Sequence, residues 1–220
     1  MKTARNPGRH HCGWGAFALL ILVGGCTTLL PAPLADPALH VLTAAPAARA
    51  TAGNRELVIE VGPPRASPGF DTPRMAYVRK PYALEYFADN RWAEAPARML
   101  GPLLTQALER SEGFRAVVQA PTVVPADVRV NTELIRLQQN FASRPSRVEL
   151  GLRVQLVDVR ARRVLATRSF EEIEAAPTED AYGGVTAANA ALARLLPQVV
   201  DFCVVEAARR SGPVGSGTGH

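Results

Sequence analysis

The chain has 220 residues, 47% of them apolar and 6% aromatic, with 25 Lys and Arg against 20 Asp and Glu. That length suffices for one domain with its own hydrophobic core, and arginines scattered among acids offer no dense basic footprint for nucleic acid. The only histidines are His10, His11, His40 and His220, and the only lysines Lys2 and Lys80. A Ser-His-acid set, a Cys-His pair and a metal cluster of His and Cys therefore lack their parts, and no Gly-rich run carries the Lys of a phosphate loop.

The N-terminus pairs a basic stretch (Lys2, Arg5, Arg9) with an apolar run, Ala16 to Val23, closed by Val23-Gly24-Gly25-Cys26. The run is shorter than the roughly 20 residues a spanning helix needs, and Pro31, Pro33 and Pro37 prevent its continuation as helix. Small residues before the cysteine suit cleavage by a signal peptidase. The motif resembles the lipobox of bacterial lipoproteins, with Val23 where Leu is commoner. That resemblance implies a signal peptide over 1–25 and acyl groups on Cys26. Two or three such chains hold a protein at a bilayer almost permanently, since each buried methylene contributes about 0.8 kcal/mol. Thr27, where aspartate would signal inner-membrane retention, implies the periplasmic leaflet of the outer membrane. Loss of Lys2, Arg5 and Arg9 leaves 22 basic residues against 20 acidic ones, close to neutral. Cys12 leaves as well, so Cys203 is the single cysteine of the body and no disulfide can form within it. In its apolar helical setting Cys203 is expected to be a small buried hydrophobe rather than a reactive thiol.

Residues 26–38, rich in Pro and Ala, read as a semi-rigid tether, and one periplasmic domain is expected over 39–211. His40 to Thr43 is a first short strand and Glu56 to Val61 a clearer one, ended by Pro63-Pro64. Met75 to Val78 and Ala83 to Phe87 form a hairpin-like pair around Lys80-Pro81, after which Asp89-Asn90 turns the chain. Pro96 suits the first turn of a helix whose buried face is Met99, Leu100, Leu103, Leu104, Ala107 and Leu108, stopped at Gly113. Phe114 to Val118 is a strand.

From Asp127 to Leu137 the alternation of Val128, Val130, Thr132 and Leu134 changes face at Ile135, which predicts a bulge. Val148, Leu150, Leu152, Val154 and Leu156 make the clearest half-buried strand, and a turn over Asp158 to Arg163 returns it through Val164 to Phe170 as a long antiparallel hairpin. The face bearing Arg153 and Arg168 is expected to be solvated or to meet a partner. Glu179-Asp180 opens a last helix with a buried stripe of Val185, Ala188, Leu192, Leu195, Val199 and Phe202, ends it on Arg209-Arg210, and predicts a kink at Pro197. Residues 212–220 are expected to be a disordered tail. The fold class is α/β, an α+β sandwich: a largely antiparallel sheet with two main helices packed on one face.

Glu171, Glu172 and Glu174 are the one carboxylate cluster. On a strand Glu172 and Glu174 share a face and Glu171 points away, the pattern of a solvated edge rather than an acid–base pair. Gly183-Gly184 reads as flexibility at a helix start. The expectation is thus a non-enzyme, with no catalytic residue, no cofactor and no metal.

The order of the blocks Asp71-Thr-Pro-Arg-Met-Ala-Tyr-Val-Arg79, Leu84-Glu-Tyr-Phe87 and Arg91 to Leu100 carries a resemblance, together with L-x-D-x-x-x-R-x-V-x-A-x-R-x-F over Leu156 to Phe170 and A-A-N-A-A-L over Ala187 to Leu192. Over residues 26–205 the chain resembles the ABC-type transport auxiliary lipoproteins, the PqiC-like family. His40 departs from it, standing where relatives often carry tyrosine. The resemblance implies a periplasmic partner of an importer-like system with an MCE-domain protein, a membrane permease and a separate ATPase, moving lipids between membranes. The role expected is docking or receiving by protein binding, with homo-oligomers left open. Tyr77, Tyr86 and Trp92 are the candidate partner surface, since aromatics anchor interfaces; ordinary core packing is the competing reading of the same three. Two other roles are a direct lipid carrier, with an acyl chain between sheet and last helix, and a structural envelope lipoprotein.

Overall fold

The computed structural model describes residues 36–43 and 55–210, so the expected signal peptide, Cys26, most of the tether and the tail lie outside the described residues. The frame of the domain is one long strand, β7 (Val128–Asn140), whose Val128, Val130, Thr132, Leu134, Leu137 and Gln139 are buried. The expected bulge is there: register shifts between Leu134 and Arg136, with Ile135 as the extra residue. Without it Leu137 would face water, because one residue of slip exchanges the two faces.

One edge of β7 carries β8 (Arg147–Asp158), antiparallel along its whole length, and β8 carries β9 (Arg163–Ala175) in the same way. The other edge is covered end to end by three short strands, all parallel to β7: β2 (Val58–Val61), β3 (Arg65–Ala66) and β4 (Arg74–Val78). Beyond them β6 (Ala116–Gln119) adds parallel to β2, while β5 (Leu84–Trp92) adds antiparallel to β4 and β1 (Ala38–His40) parallel to β5. The nine-stranded sheet is therefore mixed. Its long ladders are antiparallel as expected; most of its short ones are parallel, which alternation within a segment cannot reveal. A parallel pair needs a crossover, and helix α1 (Pro96–Arg110) lies in the one that returns the chain from β5 to β6.

Two boundaries differ from expectation. Asp89-Asn90 does not turn the chain but continues β5, with Asn90 opposite Ala38 and its Oδ1 2.8 Å from His40 Nε2. The first strand ends at His40, and Val41 to Thr43 pack elsewhere, as described below.

Both helices cover one face of the sheet. Pro96 opens α1, and Leu100, Leu104 and Leu108 are buried on its inner side, with Met99 and Leu103 half-buried beside them. Beyond its end Gly113 supplies room: a Cβ there would lie 2.6 Å from Val204 Cγ2. Helix α2 (Ala181–Arg210) is capped by Asp180, whose Oδ1 accepts the Gly183 N–H at 2.7 Å. That bond, with one from the Thr178 hydroxyl, holds the Asp180 carboxyl below the usual carboxylate range. Val185, Ala188, Leu192, Leu195, Val199 and Phe202 are buried as the stripe predicted. The helix runs on through Pro197 to Arg210.

Candidate functional site

The groups that could do chemistry are committed to structure. Cys203 is fully buried, and burial pushes its thiol up to about 12. Glu172 and Glu174 share a face and Glu171 takes the other, as alternation required. The cluster is not a bare solvated edge, however. Glu172 and Glu174 turn toward α2, where Arg194 pairs with both and Gln198 donates to Glu172, while Glu171 sits 3.5 Å from Arg136 across the sheet. No group of His, Cys, Asp and Glu among the described residues could hold a metal ion.

The three aromatic candidates do not meet on one surface. Trp92 is 4% exposed and belongs to the core, so it presents nothing to a partner. Tyr77 and Tyr86 occupy opposite faces, because Tyr86 pairs with Ala76, the neighbour of Tyr77. Tyr77 stacks on Phe87 with centroids 4.7 Å apart and meets Phe141 edge-on at 5.9 Å, and its hydroxyl donates to Glu85. Tyr86 lies under the Arg74 guanidinium, 3.8 Å from its centroid, and donates to the Gly69 carbonyl. The two arginines expected on one face are likewise divided. Arg153 pairs across β7 with Glu133, whereas Arg168, opposite Val154, turns to the helix side and lies over Phe202.

The helix-free face holds the feature that single segments did not disclose. An open cleft of about 1090 Å³ lies over β2, β3, β7 and β8, walled by Pro63-Pro64 and Ala120-Pro121-Thr122. Its floor is a polar mosaic in cross-strand register: Glu60 beside Arg129, Asn131 opposite Gln155, and Glu133 opposite Arg153. Glu60 accepts both guanidinium N–H groups of Arg129 at 3.1 Å, and Glu133 accepts the Ser67 hydroxyl. Arg65 and Arg153 also line the cleft, so it presents fixed charges of both signs from strands rather than loops. The helix side offers no comparable space. Hollows between the sheet and α2 measure about 10 Å³ beside Phe87 and Ala188 and about 0 Å³ beside Leu42 and Leu192, room for at most one water.

Residues 40–200 match the family of the ABC-type transport auxiliary lipoprotein component. The chain belongs to that family. Among solved structures, this auxiliary lipoprotein is similar to protein XCC0632 from Xanthomonas campestris, with 20% identity and a TM-score of 0.73 over 79% of this chain and 98% of that one. An uncharacterized protein follows, with 12% identity and a TM-score of 0.60 over 76% and 97% of the two chains. At these identities the likeness is one of fold. No curated protein matches the sequence.

In the auxiliary lipoprotein the A-A-N-A-A-L block has a legible task. Asn189 projects from α2 to the start of the domain, where its Oδ1 accepts the Thr43 N–H at 2.7 Å and its Nδ2 donates to the Val41 carbonyl at 3.3 Å. Leu42 between them is 7% exposed and sits among Leu100, Leu134, Leu137, Leu150 and Leu192. The alanines around Asn189 leave space for this segment: Ala187, Ala188 and Ala191 are all buried. The first segment of the domain, Val41 to Thr43, is thus clamped to its central helix.

Proposed function

We propose that this auxiliary lipoprotein acts by contact, as an outer-membrane-tethered docking or receiving component for an ABC-type system with an MCE-domain protein, a permease and a separate ATPase, moving lipids between the two membranes. Acyl groups on Cys26 provide the tether. The observation that carries the reading is the cleft on the helix-free face. It is open, predominantly polar and lined by both signs of charge carried on paired strands, which suits a protein surface read by complementary charge better than a small apolar substrate. Tyr86, under Arg74, lies on the same face of the sheet but farther along it, outside the lining of the cleft. The second role, a carrier with an acyl chain between sheet and α2, is disfavoured by the hollows found there, since ligand pockets run to about 300–1,000 Å³.

The test is capture from crosslinked envelopes. Wild-type protein is expected to bring down the permease and MCE components, and Arg65→Glu with Arg153→Glu, both at exposed positions, to fold with unchanged melting and lose most of that capture. Undiminished capture by the double variant overturns the assignment of the cleft. For the tether, palmitate labelling should mark the wild type and not Cys26→Ala, which should leave the membrane fraction.

A further inference from the structure

The end of the sheet opposite the cleft carries a second surface, formed where the β4–β5 and β7–β8 connections meet. They are joined by a hydrogen bond from the Phe141 N–H to the Val78 carbonyl at 2.8 Å. Tyr82 stands out from the first connection completely exposed, with φ at 64°. A bulky residue in the left-handed region is uncommon and strained, and among the described residues its side chain makes no hydrogen bond or cation–π contact that would compensate it. Pro81 and Leu84 are exposed beside it. Tyr77, Phe87 and Phe141, in mutual ring contact, support the end from behind.

The charges at this end are unequal in their commitments. The acids are occupied: Glu85 by Arg79, Glu149 by Gln138 and Asn140, Glu174 by Arg194, Glu179 by the Ser146 N–H, and Asp180 by the cap of α2. Lys80, Arg144 and Arg147 are exposed and make no hydrogen bond or ion pair with an acid among the described residues. Lys80 feels only a longer-range attraction to Glu85, which Arg79 already holds. An exposed tyrosine among cations that no acid among the described residues holds by a hydrogen bond suits a bilayer interface, where the ring lies among headgroups and cations meet phosphate.

The direction of the chain supports the same end. β1 runs parallel to β5, and Ala38 is in register with Asn90, six residues along from Leu84. Pro37 therefore leads into β1 from the side of Tyr82, about 20 Å above Leu84 at strand spacing. The twelve residue steps from Cys26 to Ala38 span at most about 40 Å, a reach long enough for an acylated Cys26 to come level with Tyr82.

We propose that this end, with Tyr82, Lys80 and Arg144 foremost, rests on the phospholipid headgroups of the bilayer that holds the acyl chains of Cys26, so that the domain stands end-on with its cleft turned away from the membrane. The proposal rests on Cys26 being the anchor. Its consequence is a spacing: Asn131 in the cleft floor lies nine residues along β7 from Asn140, about 30 Å from the bilayer. A partner reaching across the periplasm could then dock without touching lipid.

The test uses the full lipidated chain in vesicles of phosphatidylethanolamine and phosphatidylglycerol. After loss of the signal peptide, Trp92 is the only native tryptophan and it is buried. Tyr82→Trp is expected to show blue-shifted emission that lipid brominated on its acyl chains quenches, while wild-type emission stays unquenched. Adding Lys80→Glu and Arg144→Glu to Tyr82→Trp should abolish the shift and the quenching while flotation with the vesicles persists. Flotation of Tyr82→Trp without quenching overturns the end-on arrangement alone. Failure of the wild type to float overturns the anchor, and this proposal with it.

Discussion

Truncation of Leu42 tests how the first segment of the domain is held to α2. In a rigid core Leu→Ala costs about 2–5 kcal/mol, and Leu42 is 7% exposed among leucines of α1, α2, β7 and β8. The segment that carries it can detach locally, though, so its loss is capped by what holds the segment down. That comprises the burial of Leu42, worth roughly 2 kcal/mol, the half-exposed pair of Asn189 bonds, about 1 kcal/mol together, and the three-residue ladder to β5. Leu42→Ala should therefore cost about 2 kcal/mol, Asn189→Ala about 1 kcal/mol, and the double variant less than their sum, because both act through one detachment. Hydrogen exchange of the mature lipoprotein reads this directly. In Leu42→Ala the amides of residues 39–43 should exchange about 30-fold faster, as 2 kcal/mol implies, while those around Leu195 and Val199 change far less. Uniform acceleration across the molecule, or unaltered exchange over 39–43, would refute the clamp.

Gly184→Ala should destabilise by about 1–3 kcal/mol despite a gain in helix propensity of about 1 kcal/mol, because the new Cβ collides with Oε1 of buried Gln139, which Ser146 helps hold in place; Gln139→Ala should recover part of the loss in chemical denaturation. In the mature chain Cys203 should resist maleimide in the folded state and react only at the global unfolding rate, since burial raises its thiol to about 12; rapid labelling would show a breached core. Asp158 is buried, which opposes its ionisation, but the Ala161 N–H and the Arg210 guanidinium, 2.5 Å away, overcome that and lower its pKa. Its stabilisation is therefore present above the unfolded value of about 3.9 and lost as pH falls through the lower folded value. Arg210→Ala should cost about 2 kcal/mol at pH 7 and start acid unfolding at higher pH; an unchanged acid limb argues against the pair. Arg194→Ala, at a half-exposed site, should cost no more than about 1 kcal/mol in thermal melts, and a larger loss would mean that Glu172 and Glu174 are less hydrated than their exposure suggests.

Local pattern reached far in this chain because period and face are properties of single segments. The alternation of Val148 to Leu156, the change of face at Ile135, the stripe of α2, the opposite faces of Glu171 and Glu172, and the buried state of Cys203 could all be read from neighbours a few residues apart. So could the family, whose blocks lie in order along the sequence. Residue type misled where context ruled. Asp89-Asn90 reads as a turn but continues β5 because β1 pairs beside it, and Trp92 reads as an interface anchor but fills the core.

Which strands become neighbours depends on contacts between residues far apart in sequence. No local signal announced that β2, β3 and β4 would line one edge of β7 in succession, that Asn189 would grip the backbone of Val41 and Thr43, or that Glu60, Arg129, Glu133 and Arg153 would share one floor. Composition and spacing alone established a chain poor in His and Lys and amphipathic in the right periods, with an N-terminal Val23-Gly24-Gly25-Cys26 that resembles a lipobox. The cleft and the exposed end of the sheet were decided by tertiary structure, because a surface is an arrangement of side chains from several segments and exists only once those segments are packed.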